Sequence, residues 1–437
     1  MNKVSVRHSN FSPIGGGSGR ALAVGVSARA LVAALTDSNF RVISVDAFGD
    51  QDTQENAIQT IILPQWGTTI SELSLQPEPE TRRLAESSDT YLAQNYPVFW
   101  AGGTENWPEM VTYLAGHPKL RLLAPSEDQL KLLRSARLWA QVAQQAGLGF
   151  PESIDHLGPF GQVAHQSIKS RWLRKKVIGG GGFGVTISEQ LPTIPQSSCE
   201  YFQQEICGTV MGVNFSVAWN RDSAGTGRDA MPEVTLMGIV QSWSSDQWPG
   251  PSEFIYRGSW GPIAISQSLQ DRLSHLAQLL ATETGITGWL QMDCIEDQHG
   301  QCWLLEVNPR WTAGMEVLLR SGVTNPAAHH AAAWGYPNPS SLLQVRQPNS
   351  LIGKAILYAP CKLLLTSQRV DQLQSLPRER FADIPSDQMK DRWLDEGSPI
   401  LTVLASCDPQ LSLPAARKVL LDQLQQSARQ VAGFLMS

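Results

Sequence analysis

A run of glycines directly after a basic strand limits how this chain can fold. The segment reads Lys175-Lys-Val-Ile-Gly-Gly-Gly-Gly-Phe-Gly184, with five glycines in six positions. Each glycine inside a helix or strand costs backbone entropy, so the run predicts a loop. Backbone N–H groups of such a loop can approach a phosphate chain, and Lys175 can add a positive charge to the same anion. No Gly-Lys-Ser/Thr follows, so this is not a Walker loop, and a flexible surface loop is the alternative.

A predicted hairpin at Trp289–Asn308 carries a second group of polar residues. Alternate residues of a strand share a face, so Glu306 and Asn308 point the same way. A tight register across the turn near Asp297–Gly300 pairs residues whose numbers add up to an odd value. Asp293 then lies opposite or diagonal to Glu306, on the same face. Two carboxylates and an amide oxygen are hard ligands that suit Mg²⁺ on ATP phosphates. A solvated face is the alternative, although apolar neighbours favour a largely buried sheet.

Arg310 follows Asn308 by two residues and leaves the strand toward the same site. A guanidinium at this position can hold a phosphoryl oxygen through two hydrogen bonds. An ordinary surface arginine is the alternative interpretation.

Composition limits the function classes that remain. The chain has 437 residues with a hydrophobic fraction of 42%, enough apolar material for several packed domains. A formal net charge of -6 leaves no basic surplus to neutralise phosphates, so no nucleic-acid partner is expected. No apolar run reaches membrane-spanning length, and the six cysteines form no C-x-x-C pair. We therefore expect a cytoplasmic protein with reduced thiols, no structural zinc and no membrane partner.

Two patterns of secondary structure follow one another along the chain. Strands predicted at Ala21–Val26, Arg41–Asp46 and Pro97–Ala101 alternate with helices, which indicates a parallel α/β layer. A capping box at Ser126–Gln129 begins a helix that we predict to run to Ala146. Short strands dominate after about residue 151, so the expected fold class is α/β and α+β in several domains.

The chemical motifs occur in one order along the chain: Lys175, the glycine run, Gln204-Glu205-Ile206, Asp293 and Glu306-Val-Asn308-Pro-Arg310. This order resembles the ATP-grasp superfamily, especially the branch that includes biotin carboxylase and carbamoyl-phosphate synthase. The resemblance covers residues 21 to about 330. It implies an ATP-grasp fold with a leader 1–20, a Rossmann-like preATP-grasp domain 21–125 and a core 126–335 whose central subdomain spans about 150–206. A small β-rich domain with a terminal helix is expected at 340–437.

The resemblance also implies a role for each motif residue. Lys175 and Arg310 are the expected catalytic residues, and ATP phosphates are expected to contact Lys175, Gly179, Gly180, Gly181, Gly182 and Gly184. Adenine is expected at the backbone of Gln204, Glu205 and Ile206. The expected ligands of Mg²⁺ (or Mn²⁺) are Asp293, Glu306 and Asn308. The acceptor substrate is expected near Tyr256, Arg257 and Ser259.

The implied reaction is attack of a carboxylate on ATP, giving an acyl phosphate and ADP, followed by attack of an amine. The expected partners are therefore ATP, a small carboxylate and an amine, and a homodimer is one expected assembly. No general base is identifiable, because the neighbouring His329 and His330 are typical of helix packing. The C-terminal segment and Gly25–Arg29 resemble ATP-grasp proteins associated with tetrahydromethanopterin-linked one-carbon metabolism.

Two alternatives compete with the ligase hypothesis. Many relatives carry a second ATP-binding lysine where this chain has Ala136, which favours a non-catalytic ATP-binding module; Lys131, Arg134 or Arg137 could substitute for it. The other alternative is a nicotinamide-dependent dehydrogenase, since Gly25-x-Ser-x-x-Ala30 and Asp46 imitate a dinucleotide fingerprint. Two of its three glycines are missing, and it leaves the metal hairpin unexplained.

Overall fold

The computed structural model describes residues 6–8, 19–63, 96–162, 171–189, 193–195, 197–219 and 231–436. The chain divides into two compact units, Met1–Ala124 and Pro125–Ser437. Most of the predicted leader 1–20 lies outside the described residues, and the predicted domain boundaries stay predictions. Within the described ranges, no helix combines the length and apolar character needed to cross a membrane.

The first unit is built around a six-stranded sheet. Its elements are β1 Val6–His8, β2 Arg20–Val24, α1 Arg29–Asp37, β3 Arg41–Asp46, α2 Gln51–Asn56, β4 Gln59–Ile62, β5 Tyr96–Trp100, α3 Pro108–Gly116 and β6 Leu120–Leu122. The strand order is β1-β4-β3-β2-β5-β6. Strands β2 to β6 pair in parallel and β1 pairs antiparallel with β4. The predicted parallel α/β layer is confirmed.

The sequence after β5 predicts a helix over Glu105–Ala115, and the observed helix begins later. A short 3-10 turn occupies Thr104–Asn106, and α3 begins at Pro108. Proline fixes φ at a helical value and lacks the N–H that is unpaired in a first turn anyway, so it favours the first helical position.

The single helix predicted from Ser126 to Ala146 is wrong, because the chain forms two helices there. These are α4 Glu127–Leu133 and α5 Ala136–Gln145. The hydroxyl of Ser135 accepts a hydrogen bond from a first-turn N–H of α5, so this serine caps a new helix. The capping box predicted at the start of α4 is present.

The second unit contains two antiparallel sheets. The five-stranded sheet consists of β7 Ser153–Asp155, β8 Gly158–Phe160, β9 Trp172–Gly180, β10 Phe183–Ser188 and β11 Glu200–Gln204, in the order β10-β9-β11-β7-β8. The eight-stranded sheet consists of β12 Gly208–Trp219, β13 Pro232–Ser242, β14 Gly258–Gly261, β15 Gly288–Asp297, β16 Cys302–Asn308, β17 Leu351–Tyr358, β19 Phe381–Ala382 and β21 Pro399–Cys407. Its order is β16-β15-β12-β13-β14-β17-β21-β19, and β18 Leu363–Leu365 pairs with β20 Arg392–Leu394 as a separate ribbon. The C-terminal strands therefore continue the sheet that holds β15 and β16.

Helices pack on both faces of the eight-stranded sheet. The helices are α6 Gln267–Thr284, α7 Ala313–Arg320, α8 Pro326–Ala333, α9 Ser367–Gln374 and α10 Leu413–Met436. Helices α5, α6 and α10 cover one face, whereas α7 and α8 lie on part of the other. Apolar residues of α5 and α6 pack on alternate strand residues, among them Val213, Ile239, Met292 and Val307. Residues between these positions point to the opposite face. Burial of one face therefore decides which side chains reach the other.

The two histidines of α8 are buried and act in packing. The Nδ1 of His330 accepts a hydrogen bond from the Trp289 N–H at 3.0 Å, and the two rings stack at 3.8 Å. The Nε2 of His329 lies 2.9 Å from the hydroxyl oxygen of Thr324. Burial lowers the pKa of His329 to about 4.

We expect His329 to make the free energy of unfolding depend on pH. Its pKa is about 4 in the folded protein and about 6.5 in an unfolded chain. As the pH falls, His329 is protonated in the unfolded chain before it is protonated in the folded protein. Its contribution to stability is therefore fully present above pH ~6.5 and is lost as pH falls through ~4. The complete loss from this one group is about 3 kcal/mol.

His329→Gln should remove most of that loss, because glutamine stays neutral. Chemical denaturation near pH 7.5 and near pH 4.5 gives the free energy of unfolding at each pH. Any packing energy that the substitution removes at both pH values cancels in the difference between them. His299→Gln, in an exposed turn, is the control and should behave as wild type. An undiminished acid loss in His329→Gln would show that this histidine is not responsible.

Candidate functional site

The strand pair β15–β16 brings the predicted metal ligands together. Asp293 pairs with Glu306 and Gln291 pairs with Asn308, so all four side chains lie on the face that α5 and α6 leave uncovered. The odd-sum register predicted for this hairpin holds only on this side of an irregularity. Between the irregularity and the turn the sum is even, as in the pair Cys294 and Leu304.

A β-bulge causes this change of register. Leu305 is the extra residue, since Leu304 pairs with Cys294 and Glu306 pairs with Asp293. Cys302 and Leu304 belong to the apolar core, and strict alternation from them would send Glu306 into that core. The bulge turns Glu306 to the polar face, next to Asp293.

The Asp293 carboxylate is held from two sides. Its Oδ1 accepts a hydrogen bond from the Gln291 amide at 2.7 Å, and its Oδ2 accepts one from the Asn308 amide at 3.0 Å. Burial, followed by repulsion from Glu306, raises the pKa of Asp293 to about 6 against the opposing effects of Gln291, Arg310 and Lys175. Two half-buried carboxylates facing each other are the arrangement that a divalent cation stabilises.

Lys175 reaches the same place from the five-stranded sheet. It lies in β9, half-buried, and its Nζ donates a hydrogen bond to the Gln203 Oε1 at 3.0 Å. Burial lowers the pKa of Lys175, but interactions with Tyr201, Glu306 and Asp293 outweigh burial and leave the pKa above its ordinary value. The lysine therefore stays charged opposite the two carboxylates.

Arg310 completes the charged cluster. It lies two residues beyond the end of β16 and is 9% exposed, and its charge lowers the pKa of Asp293. A Cβ placed on Gly180 would lie 3.5 Å from the Arg310 Nη2. The guanidinium thus lies beside the glycine run as well as beside the carboxylates. Among the described residues, no group of three His, Cys, Asp or Glu side chains could hold a metal ion.

The glycine run is a hairpin, and the predicted open loop is wrong. Gly179 and Gly180 end β9, Gly181 and Gly182 form the turn, and Gly184 lies in β10. The last three have φ values of 62°, 85° and 85°. Glycine is needed at Gly181, Gly182 and Gly184 because a side chain would strain a left-handed backbone. At Gly184 the strand register also shifts, between Phe183 and Val185. Strand pairing offsets the entropy cost at the other two.

The tip of this hairpin rests on the segment before β14. The Tyr256 N–H donates to the Gly181 carbonyl at 2.9 Å. A Cβ on Gly182 would lie 1.9 Å from the Phe254 carbonyl oxygen, closer than any side chain allows. The hairpin is therefore closed over the cluster of Lys175 and Arg310.

The hinge, which is the segment Gln204–Ile206 where adenine is expected, lies at the end of β11. The backbone N–H groups of Gln204 and Glu205 donate to the carbonyls of Glu152 and Arg171 at 2.7 and 2.9 Å. The Glu205 carboxylate pairs with the Arg171 guanidinium at 2.5 Å. Two of the three hinge N–H groups are thus used within the chain, and a bound base would rely on Ile206 and on carbonyl oxygens.

An apolar cluster adjoins Ile206. It contains Ile295 and Trp303, and Leu305 packs against it from the bulge. A flat apolar ring could be buried there beside the hinge. The bulge therefore serves both the apolar cluster and the carboxylate pair.

Two of the three basic residues near Ala136 have acidic partners within the chain. Arg137 donates to both carboxylate oxygens of Asp155 at 2.8 and 2.6 Å and to the Gly158 carbonyl at 2.8 Å. Lys131 is exposed and pairs with Glu127 of its own helix.

The predicted acceptor residues differ in their environment. The guanidinium of Arg257, 6% exposed, donates to the carbonyls of Ser252 and Glu253 at 2.6 and 3.1 Å, so it shapes that loop. The hydroxyls of Ser259 and Tyr256 are 2.8 Å apart. Sequence reasoning missed Gln203 and Gln291; strand alternation from Asp293 could have identified Gln291, whereas the partner of Lys175 had no local signal.

The dinucleotide fingerprint has no free acid for a ribose. Asp46 is fully buried, and its carboxylate accepts hydrogen bonds from the N–H groups of Ala28, Phe48 and Gly49. It therefore holds the loops after β2 and β3, which removes the main support for a dehydrogenase.

No protein-family model and no curated protein sequence matches this chain. Solved structures do match it. Biotin carboxylase from Campylobacter jejuni, a β-γ-ATP complex, is 16% identical with a TM-score of 0.57, over 88% of this chain and 87% of that one. N5-carboxyaminoimidazole synthetase from Staphylococcus aureus, complexed with ADP, is 10% identical with a TM-score of 0.58, over 95% and 99%.

A third similar structure is the biotin carboxylase domain of 2-oxoglutarate carboxylase from Hydrogenobacter thermophilus, in complex with MgADP, ADP and bicarbonate. It is 12% identical with a TM-score of 0.56, over 88% of this chain and 86% of that one. At such identities the likeness concerns the fold. Over nearly its whole length, this chain has the ATP-grasp fold.

Proposed function

We propose that this protein is an ATP-dependent ligase that converts a substrate carboxylate into an acyl phosphate for attack by an amine. The observation that carries the proposal is the convergence of Lys175 and Arg310 with the Asp293–Glu306 pair under a glycine hairpin. The ATP-grasp fold supports it, as do the nucleotides in the compared structures: β-γ-ATP, ADP and MgADP.

The residues present fit a divalent cation. Asp293, Glu306 and the Asn308 amide oxygen would hold Mg²⁺ (or Mn²⁺), and the raised pKa of Asp293 reflects a repulsion that a cation would relieve. The cation would neutralise charge on the phosphates. Lys175 and Arg310 would bind phosphate oxygens, and the closed hairpin would exclude water from them.

The chain's contribution to the reaction is positioning and charge compensation. Lys175, Arg310 and the carboxylates of Asp293 and Glu306 surround one site. Charges that are oriented in advance stabilise the transition state of phosphoryl transfer. The Ile206 cluster beside the hinge would bury the base. The predicted link with tetrahydromethanopterin, the homodimer and the cytoplasmic location stay predictions.

A non-catalytic ATP-binding module is the second candidate, and Ala136 favours it. Because Arg137 is committed to Asp155, the phosphate site has one cation fewer than in many relatives. Such a module would bind ATP without turning it over.

Transfer of oxygen separates the two candidates. If a carboxylate attacks ATP, one of its oxygens ends in the released phosphate, so an ¹⁸O-labelled carboxylate yields ¹⁸O-phosphate. We expect this label, and hydroxamate in the presence of hydroxylamine, from a panel of carboxylates that includes bicarbonate, tested with and without amines. ATP binding without labelled phosphate for any member would favour the module.

Glu306→Gln should weaken metal-dependent nucleotide binding without unfolding the protein. It removes one ligand charge and also the repulsion on Asp293, so the ligand-free variant should be at least as stable as wild type. The affinity for Mg·ATP should fall at least about tenfold, from the loss of one charge-assisted ligand.

Calorimetric titration with Mg·ATP, and with ATP plus a chelator, measures this effect. Glu296→Gln is the matched control, because Glu296 lies in the same hairpin outside the charged cluster. Wild-type affinity of Glu306→Gln would exclude Glu306 as a ligand.

Gly182→Ala should impair nucleotide affinity more than the protein's stability. Both the left-handed backbone and the Phe254 carbonyl oppose a Cβ there, so the hairpin tip must move away from its seat. Gly300→Ala is the matched control: φ is +74° and no atom lies within 4 Å, so only the backbone strain of about 1 kcal/mol applies. We expect weaker Mg·ATP binding in Gly182→Ala alone; equal effects in both variants would argue against hairpin closure.

A further inference from the structure

The face of the eight-stranded sheet that carries Asp293 and Glu306 holds further polar residues beyond the apolar position Val240. Across neighbouring strands, Glu306 pairs with Asp293, Asp293 with Gly212 and Gly212 with Val240. Two residues after Val240, Ser242 points to the same face. Ser242 pairs with Ser259, and Ser259 pairs with Lys354. Ser259 and Lys354 therefore share the face of the two carboxylates.

Lys354 is a buried ammonium with a single acceptor. It is 5% exposed, and its Nζ donates to the Glu316 Oε2 of α7 at 2.6 Å. Among the described residues, no other hydrogen-bond acceptor of this ammonium is found. A lysine ammonium has three donors, and a buried donor without an acceptor costs free energy.

The single negative charge of Glu316 does not balance the cations around it. Glu316 also accepts a hydrogen bond from the Arg320 Nε at 2.8 Å, so two cations share one carboxylate. The group of Lys354, Glu316 and Arg320 therefore carries a net positive charge beneath α7. An ion pair that only attached the helix would need no such excess, and apolar residues would do this at least as well.

Tyr256 connects this group with the metal hairpin. Its hydroxyl lies 2.8 Å from the Ser259 hydroxyl, and its backbone N–H holds the glycine hairpin. Burial, and then the charges of Glu316 and Asp293, raise the pKa of Tyr256, so the phenol keeps its proton. Tyr256 is therefore a hydrogen-bond donor located between the two charged groups.

We propose that Lys354, Tyr256 and Ser259 form the subsite for an oxyanion group of the acceptor substrate. The available groups there are hydroxyls and an ammonium beside a net positive charge, and these select a carboxylate or a phosphate. The inference rests on the proposed function, because it assigns the second substrate of that same site. It keeps Tyr256 and Ser259 from the predicted acceptor residues and adds Lys354.

The test uses malonate and inorganic phosphate as separate probes. Each is titrated calorimetrically into the full chain, with and without saturating Mg²⁺ and a non-hydrolysable ATP analogue, at constant ionic strength. With the analogue bound, the nucleotide phosphate positions are blocked, so binding reports the subsite. The stronger probe identifies the oxyanion as a carboxylate or a phosphate.

Lys354→Met and Tyr256→Phe should each lower the affinity for the tighter-binding probe by about tenfold or more, because each removes a hydrogen-bond donor to a charged group. In Lys354→Met, Glu316 stays paired with Arg320. If this variant does not fold, Tyr256→Phe serves as the test, because it removes the hydroxyl and keeps the ring. The controls are Tyr358→Phe, which loses a phenol that donates to the Tyr256 carbonyl, and the exposed Lys418→Met. Both should bind the probe as wild type does.

Three outcomes are distinguishable. Probe binding that depends on Lys354 and Tyr256 supports the subsite. Unchanged binding in both variants, or no binding of either probe above a chloride control, overturns it even if the ATP analogue binds. If the analogue fails to bind but the probe still depends on Lys354, the proposed ligase function fails and the anion subsite stands.

Discussion

The arrangement of the site depends on which face of the β15–β16 hairpin is buried. Helices α5 and α6 cover Cys302, Leu304, Met292 and Val307, and this burial fixes the orientation of both strands. The bulge at Leu305 then changes the alternation by one residue. Without it, a charged Glu306 would lie in an apolar core at a cost of several kcal/mol. Packing on one face thus produces the carboxylate pair on the other.

Charge balance connects the hairpin with the rest of the second unit. Two facing carboxylates repel each other, as the raised pKa of Asp293 indicates. Lys175 from the five-stranded sheet and Arg310 after β16 partly compensate, and both lie under the closed glycine hairpin. Farther along the same face, the group of Lys354 has a positive excess instead. The face therefore changes from paired acids to donors, which suits a metal-bound nucleotide at one end and an anionic acceptor at the other.

Much of the fold and of the site could be predicted from local pattern. Strands β2 and β3 fall close to where the pattern predicted them, and the face shared by Asp293 and Glu306 is observed. The errors have local causes that pattern alone does not weigh. The glycine run is a paired hairpin because strand bonds offset its entropy cost, and Ser135 divides a predicted helix because it caps a second one. The predicted roles of the site residues stay predictions.

The sequence by itself determined the types of residue available and their local spacing: a lysine before glycines, acids on alternate positions, and an arginine just beyond. These suffice for the motif order because each lies within one or two elements. Only the tertiary structure decided that Lys175 faces the carboxylates of another sheet and that Lys354 meets Glu316 across 38 residues. Such meetings follow from strand register and helix packing, which depend on the burial of whole faces and leave no trace in a local window.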